Sequence, residues 1–324
     1  MQNKLLNILD NFKNKKILVI GDIMLDKYIW GDVSRISPEA PVQVVNVLRE
    51  TFEAGGAANV ASNISALGGR ALMAGITGND GAGKILMDEL KKKNIDVNGI
   101  LIDKDRQTTQ KVRILGKSQQ LLRVDYENNE HIHVDLENAI ISFVEKNIKN
   151  ADVVVISDYA KGVITPEAGR KIMQLSKQNN KPIIVDPKPK HKEFYKDMTL
   201  ITPNNAEASE MSGIEGESDE TAIKMGNNLL KNLNANILIT RGEKGMSLFE
   251  KNGSITSIPS KAREVYSLIG AGDTVVATIA LAVASGADFR EAAILSNIAA
   301  GIKVGKMGTA SVSVEEIKKE VENL

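Results

Sequence analysis

Short apolar runs punctuate the chain, separated by stretches in which apolar residues recur every three or four positions. The first, Lys16–Gly21 (KILVIG), has the continuous apolar pattern of a parallel strand buried on both faces, and it ends at Gly-Asp. From Ala151 the alternation is regular. Ala151–Ser157, Lys181–Asp186, Thr199–Thr202 and Asn236–Thr240 are predicted as strands, and Pro166–Gln178 and Ser218–Leu233 as helices, the second capped by Ser218. This alternation predicts an α/β fold, a mostly parallel central sheet with helices on both faces.

Two excursions break the pattern. Val42–Arg49 is β-rich and partly alternating, and Thr108–Leu115 and Gln119–Asp125 read as a hairpin joined by Gly116-Lys117-Ser118. They predict a small separate sheet, formed by about 27–50 and 106–126, that would act as a lid excluding water from a reactive site. The whole of 1–324 is expected to be one domain. Gly55 and Gly56 lead into a helix through Val60–Leu67 that Gly68 ends. Gly78–Lys84 matches G-x-x-x-x-G-K, but Ile85 stands where a phosphate loop needs Ser or Thr; it reads as a strand-to-helix turn with Lys84 in solvent.

Composition removes several classes of function. The 324 residues carry 41 basic and 41 acidic side chains, which gives no polyanion-binding surface and argues against a nucleic-acid partner. There is no cysteine, so disulfides and thiolate chemistry are absent, and the three histidines lack metal-ligand spacing. No apolar run approaches the roughly 20 residues of a membrane span, and the N-terminus has no signal-peptide pattern. A cytoplasmic protein without a membrane partner is expected.

The candidate chemistry centres on Val265–Gly286. Gly270-Ala271-Gly272 opens into an Ala-rich helix whose free N–H groups and dipole would favour an anion, with Asp273 at its start. Asp273 is either a helix cap or the base of a phosphoryl-transfer site. Further polar residues follow the predicted strands. Asp22 and Asp26 come after the first, Asp158 and Lys161, Asp186 and Lys188, Asn204 and Glu207, and Thr240 with Gly242 after later ones. Their repeated placement predicts a single cleft along one sheet edge. For Asp22 the alternative is a solvated turn residue. For Gly55, Gly56 and Asn59 it is close helix–sheet packing, and for Asn204 and Glu207 a capping box.

Together these residues resemble the PfkB, or ribokinase-like, family of carbohydrate kinases. The family's Gly-Gly-x-x-Asn element matches Gly55, Gly56 and Asn59, and its late G-A-G-D element matches Gly270 to Asp273, in the right order. The segments Ser34–Val42, Ser157–Gly162 and Thr202–Asn204 look most like members acting on D-glycero-β-D-manno-heptose 7-phosphate. The resemblance implies a ribokinase-like fold, with Mg-ATP phosphorylating the C1 hydroxyl on the route to ADP-heptose and lipopolysaccharide. A kinase of ribose or a fructose phosphate, or a non-catalytic sugar- or nucleotide-binding relative, is the alternative.

It further implies that Asp273 is the base, that Gly270, Ala271 and Gly272 stabilise the transferring group, and that Asp22, Gly55, Gly56 and Asn59 hold sugar hydroxyls. Asp186 belongs with the sugar-side residues. Asn204 and Glu207 would serve magnesium (Glu207 through water) and the phosphates, while Thr240, Gly242, Gly245 and Asn297 would serve the nucleotide. For the 7-phosphate the basic candidates are Arg35, Arg113, Arg123 and Lys188. Ser267 and Ile269 replace the family's Asp-x-Thr, so a monovalent cation should bind weakly there. Some relatives carry a C-terminal adenylyltransferase domain; a sequence ending at Leu324 is expected to be the stand-alone kinase. Pairing of two lids would make a homodimer.

Overall fold

Every side chain from Ile17 to Ile20 is fully buried, and successive ones face opposite ways. Ile17 and Val19 pack into one apolar layer and Leu18 and Ile20 into another, as strand geometry requires when helices cover both faces of a sheet. Each such side chain contributes about 1.5–3 kcal/mol of burial. The computed structural model describes residues 1–117, 119–261, 265–306 and 311–324; Ser118 of the predicted hairpin connection lies outside them.

In chain order the strands are β1 (Lys16–Gly21), β2 (Ile23–Ile36), β3 (Gln43–Gly56), β4 (Arg70–Gly78), β5 (Asp96–Asp103), β6 (Gln110–Gly116) and β7 (Gln119–Tyr126). They continue with β8 (Val153–Ser157), β9 (Ile183–Asp186), β10 (Leu200–Ile201), β11 (Asn236–Thr240), β12 (Met246–Phe249) and β13 (Ile255–Ile258). The large sheet runs β13-β12-β11-β10-β9-β8-β1-β4-β5. It is parallel from β11 to β5 and ends in the antiparallel hairpin of β12 and β13. From β1 the chain moves first to β4 on one side and later to β8 on the other. The switch point therefore lies between β1 and β8, where open α/β sheets place their ligands.

The small sheet has the order β3-β2-β6-β7. It is longer than the alternation suggested, because β2 starts at Ile23 and β3 runs on to Gly56. Gly55 and Gly56, expected to lead a loop into a helix, are instead the last residues of β3, paired with Met24 and Ile23. The helix starts at once, Ala57–Ala66. Gly78–Lys84 is the strand-to-helix turn that was expected. Asp80 caps the helix by accepting the Gly83 N–H at 2.8 Å, and Lys84 is exposed. Helices Pro166–Gln178 and Asp219–Leu233 form with Thr165 and Ser218 as caps.

At the end of β1 a side chain has no room. A Cβ on Gly21 would lie 1.9 Å from the Ser157 carbonyl oxygen of the neighbouring β8. Gly21→Ala should therefore push β1 and β8 apart and lower stability by about 2 kcal/mol. Urea unfolding followed by circular dichroism reads this as a lower midpoint; an unchanged midpoint would show that the strands can shift without cost.

Candidate active site

The helix Ala271–Ala284 is Ala-rich and apolar all round, so it sits buried against the large sheet and the helix Ala57–Ala66. Its N-cap, Gly270, has φ +76°, and a Cβ there would lie 2.7 Å from the Asn59 amide nitrogen. Glycine is required on both counts. The Ala271 N–H, expected in the anion cradle, donates instead to the Leu268 carbonyl at 3.3 Å. The first intrahelical bond comes from the Thr274 N–H, so those of Gly272 and Asp273 have no partner within the helix, and Gly272 lines the cleft. Nothing lies within 4 Å of the Cβ position of Gly272.

Asp273 is buried, and both carboxylate oxygens accept a hydrogen bond. The Asn59 amide donates to Oδ2 at 2.6 Å and the Tyr159 hydroxyl to Oδ1 at 2.8 Å. Burial raises its pKa even so, because desolvation outweighs the two donors. Tyr159 was not singled out from the sequence. Its signal was available: it follows Asp158 directly in the segment leaving β8, where the other polar candidates cluster. Lys188 and Lys111 each place an ammonium 5.4 Å from the centre of its ring.

Two cavities meet at this point and share Thr240, Gly272 and Val275. The larger, about 570 Å³, is lined by Gly242, Gly245 and Asn297 with apolar Val265, Leu268 and Val304. The smaller, about 150 Å³, is lined by Tyr159, Asp186, Lys188, Asn204 and Glu207. Asn297 also donates to the Pro259 carbonyl at 2.8 Å.

Asn204 and Glu207 form the capping box that was the alternative reading. The Glu207 N–H donates to Asn204 Oδ1 at 2.9 Å and the Asn204 N–H to Glu207 Oε2 at 3.0 Å. Glu207 Oε1 meets the Lys188 ammonium at 2.6 Å. The Asp186 carboxylate has no hydrogen-bond or ion-pair partner among the described residues, although its backbone carbonyl accepts the Asp158 N–H at 3.1 Å. Burial, with Asp273 and Glu207 nearby, pushes its pKa well up. Lys188 offsets only part of this negative charge, and such a set of oxygens suits a hard divalent ion. No three acidic or histidine side chains converge as direct metal ligands among the described residues.

Several expected sugar contacts are otherwise engaged. Asp22 is buried, and its carboxylate accepts the N–H groups of Tyr159 (2.8 Å), Lys161 (3.1 Å) and Val163 (3.1 Å). It ties down the 159–163 segment, so its oxygens do not point into the cleft. A Cβ on Gly55 would meet the Asp26 carboxylate at 2.7 Å, and one on Gly56 the Asp22 carbonyl at 2.5 Å; here the close approach is made by the chain itself.

Of the basic candidates, Arg113 is buried against Asp26 at 2.6 Å, and Arg123 lies on Asp125 at 2.9 Å. Arg35 is exposed near the tip of β2. Lys111 was overlooked, although it lies two residues before Arg113 in β6 and so on the same face. Among the described residues its ammonium has no hydrogen-bond or ion-pair partner, and burial lowers its pKa. In the Ser267–Ile269 turn the Ser267 hydroxyl accepts the Ile269 N–H at 3.3 Å.

The crowding at Asp186 has a measurable cost. Its raised pKa means that the ionised form is disfavoured in the folded state. The penalty is present above that pKa and disappears below the ordinary carboxylate range. Asp186→Asn should raise Tm by about 2 °C under mildly alkaline conditions, with the gain vanishing in acid. An equal change at all pH values, or a loss, would contradict the electrostatic cause.

The sequence profile of the pfkB family carbohydrate kinases matches residues 14–317. The bifunctional protein HldE of Geobacter sulfurreducens is 45% identical over 301 residues, 93% of this chain and 61% of that protein. The protein of the same name from Wolinella succinogenes is 42% identical over 313 residues, 96% of this chain and 65% of that one. The chain thus spans about three-fifths of the length of these curated relatives. Among solved structures, Arabidopsis thaliana ribokinase complexed with ribose and ATP has a TM-score of 0.74 at 19% identity, covering 96% of this chain and 99% of that one. Escherichia coli phosphofructokinase-2 complexed with potassium gives 0.75 at 18% with the same coverage. The fold is ribokinase-like, and the chain belongs to the pfkB family of carbohydrate kinases.

Proposed function

We propose that the protein transfers the γ-phosphoryl group of ATP to the C1 hydroxyl of D-glycero-β-D-manno-heptose 7-phosphate, a step toward ADP-heptose and the lipopolysaccharide core. The observation that carries the reading is a buried carboxylate, Asp273, at a helix N-terminus where two cavities join. The larger cavity suits the nucleotide. Its apolar walls would take the base, and Thr240, Gly242, Gly245 and Asn297 would hold the rest. The substrate segments quoted from the sequence and the likeness to HldE support heptose over other sugars.

Asp273 takes the proton of the C1 hydroxyl as that oxygen bonds to the γ-phosphorus and the bond to the ADP oxygen breaks. The N–H groups of Gly272 and Asp273, with the helix dipole, stabilise charge on the transferring group. Glu207, through water, and Asp186 would hold a magnesium ion, which screens phosphate charge when bound. Lys111 takes over from Arg113 and Arg123 as the cation for the sugar's phosphate. ATP as co-substrate fits a cytoplasmic place of work. Among the described residues no helix is long and apolar enough to cross a membrane.

ADP release from Mg-ATP tests the reading, with heptose 7-phosphate set beside ribose and fructose phosphates. Expected is turnover on the heptose alone, a loss of about 10³-fold or more in Asp273→Asn, and little change on adding potassium. Lys111→Ala should raise KM for the sugar phosphate about tenfold and leave that for ATP alone. Turnover on another sugar only would replace the substrate and keep the mechanism. Nucleotide binding without turnover on any sugar would point to a binding protein.

The small sheet serves in this reading as the lid and as a dimer contact. Its edge strands expose Val47 and Leu48 on β3 and Leu122 on β7. Sedimentation equilibrium should return twice the chain mass, and Leu48→Glu with Leu122→Glu should halve it. A monomeric parent protein would remove the dimer.

A further inference from the structure

Asp273 is gripped from two sides by elements far apart in sequence. Asn59 comes from the start of the helix Ala57–Ala66, and Tyr159 from the segment after β8. That segment is not free to wander. Asp22, at the end of β1, accepts three of its backbone N–H groups. Asp158 adds a further tie, accepting the Ala160 N–H at 2.7 Å while meeting His191 at 2.6 Å and the Tyr195 hydroxyl at 2.7 Å.

We propose that Tyr159 is the positioning residue for the base, its hydroxyl fixing the orientation of the Asp273 carboxylate and favouring its ionised form. The inference deepens the kinase reading and rests on Asp273 being the base. A carboxylate in so dry a place tends to take up a proton, and a protonated Asp273 cannot receive one from the sugar. Two donors, one on each oxygen, oppose that tendency and leave one lone pair of each oxygen for the incoming hydroxyl. The Tyr159 hydroxyl is suited to donate and not to ionise, since burial and the Asp273 charge push its own pKa well above the ordinary tyrosine value. Among the described residues, other charged groups that act on Asp273 include Asp26 from β2, Lys111 from β6, Asp186 at the end of β9 and Lys303 from the helix Phe289–Val304. Only Asn59 and Tyr159 are hydrogen-bonded to its carboxylate among the described residues.

Tyr159→Phe removes the hydroxyl and keeps the ring between Lys111 and Lys188. The acid limb of the kcat–pH profile should move to higher pH, and kcat at neutral pH should fall about tenfold, with KM for ATP unchanged. Placing 3-fluorotyrosine at 159 makes the hydroxyl a stronger donor and should move the limb the other way, which a packing role would not produce. The Asp273 carboxyl can also be titrated directly by ¹³C NMR, its resonance identified by its loss in Asp273→Asn. This readout does not need turnover. A shifted Asp273 titration in a protein without kinase activity would keep the positioning role and remove the proposed function. An unchanged titration in Tyr159→Phe, or a kcat and acid limb like those of an active parent protein, would overturn the inference.

Discussion

A carboxylate buried at the start of a buried helix is an unfavourable arrangement unless donors surround it, and the architecture around Asp273 supplies them. Desolvation pulls the group toward its neutral form, while the Asn59 amide, the Tyr159 hydroxyl and the helix N-terminus favour the anion. The balance leaves a carboxylate of raised pKa, which suits the base proposed for phosphoryl transfer to an alcohol. Neither donor can be moved far without losing this. The helix carrying Asn59 begins directly where β3 ends, and the Tyr159 segment is tied by Asp22 to the end of β1.

The same groups thus work at two levels. The Asn204–Glu207 capping box is a local device and the Asp22 clamp on the 159–163 segment a long-range one, each satisfying backbone N–H groups that would otherwise be orphaned where a strand ends or a helix begins. Because parallel strands all end at one edge, these devices also gather the cleft. The carboxylates collected there repel one another, and burial with Asp273 and Glu207 nearby raises the pKa of Asp186 despite Lys188, a charge arrangement that phosphates and a divalent ion would complete.

Much of this was legible in the sequence where one rule governed. The four apolar residues of β1, the helix cap at Ser218, the strand-to-helix turn at Gly78–Lys84 and the G-A-G-D turn each follow from local pattern. The two-motif resemblance gave the family. What stayed hidden depends on pairs distant in the chain. That Asp22 faces backbone instead of cleft is decided by the path of the 159–163 segment. That Arg113 is neutralised is decided by Asp26, 87 residues earlier, across the β2–β6 pair. The positions of Lys111 and Tyr159, beside Arg113 and Asp158, place them near the site, but their contacts with each other and with Asp273 depend on strands distant in the chain.

³¹P NMR of the protein with heptose 7-phosphate and Mg-ATP reads out where the γ-phosphoryl group goes. Transfer to the C1 oxygen, as proposed, should give a new phosphate-ester signal coupled to the anomeric proton, growing in step with ADP. Growth of inorganic phosphate alone, or a new ester at another carbon, would contradict it.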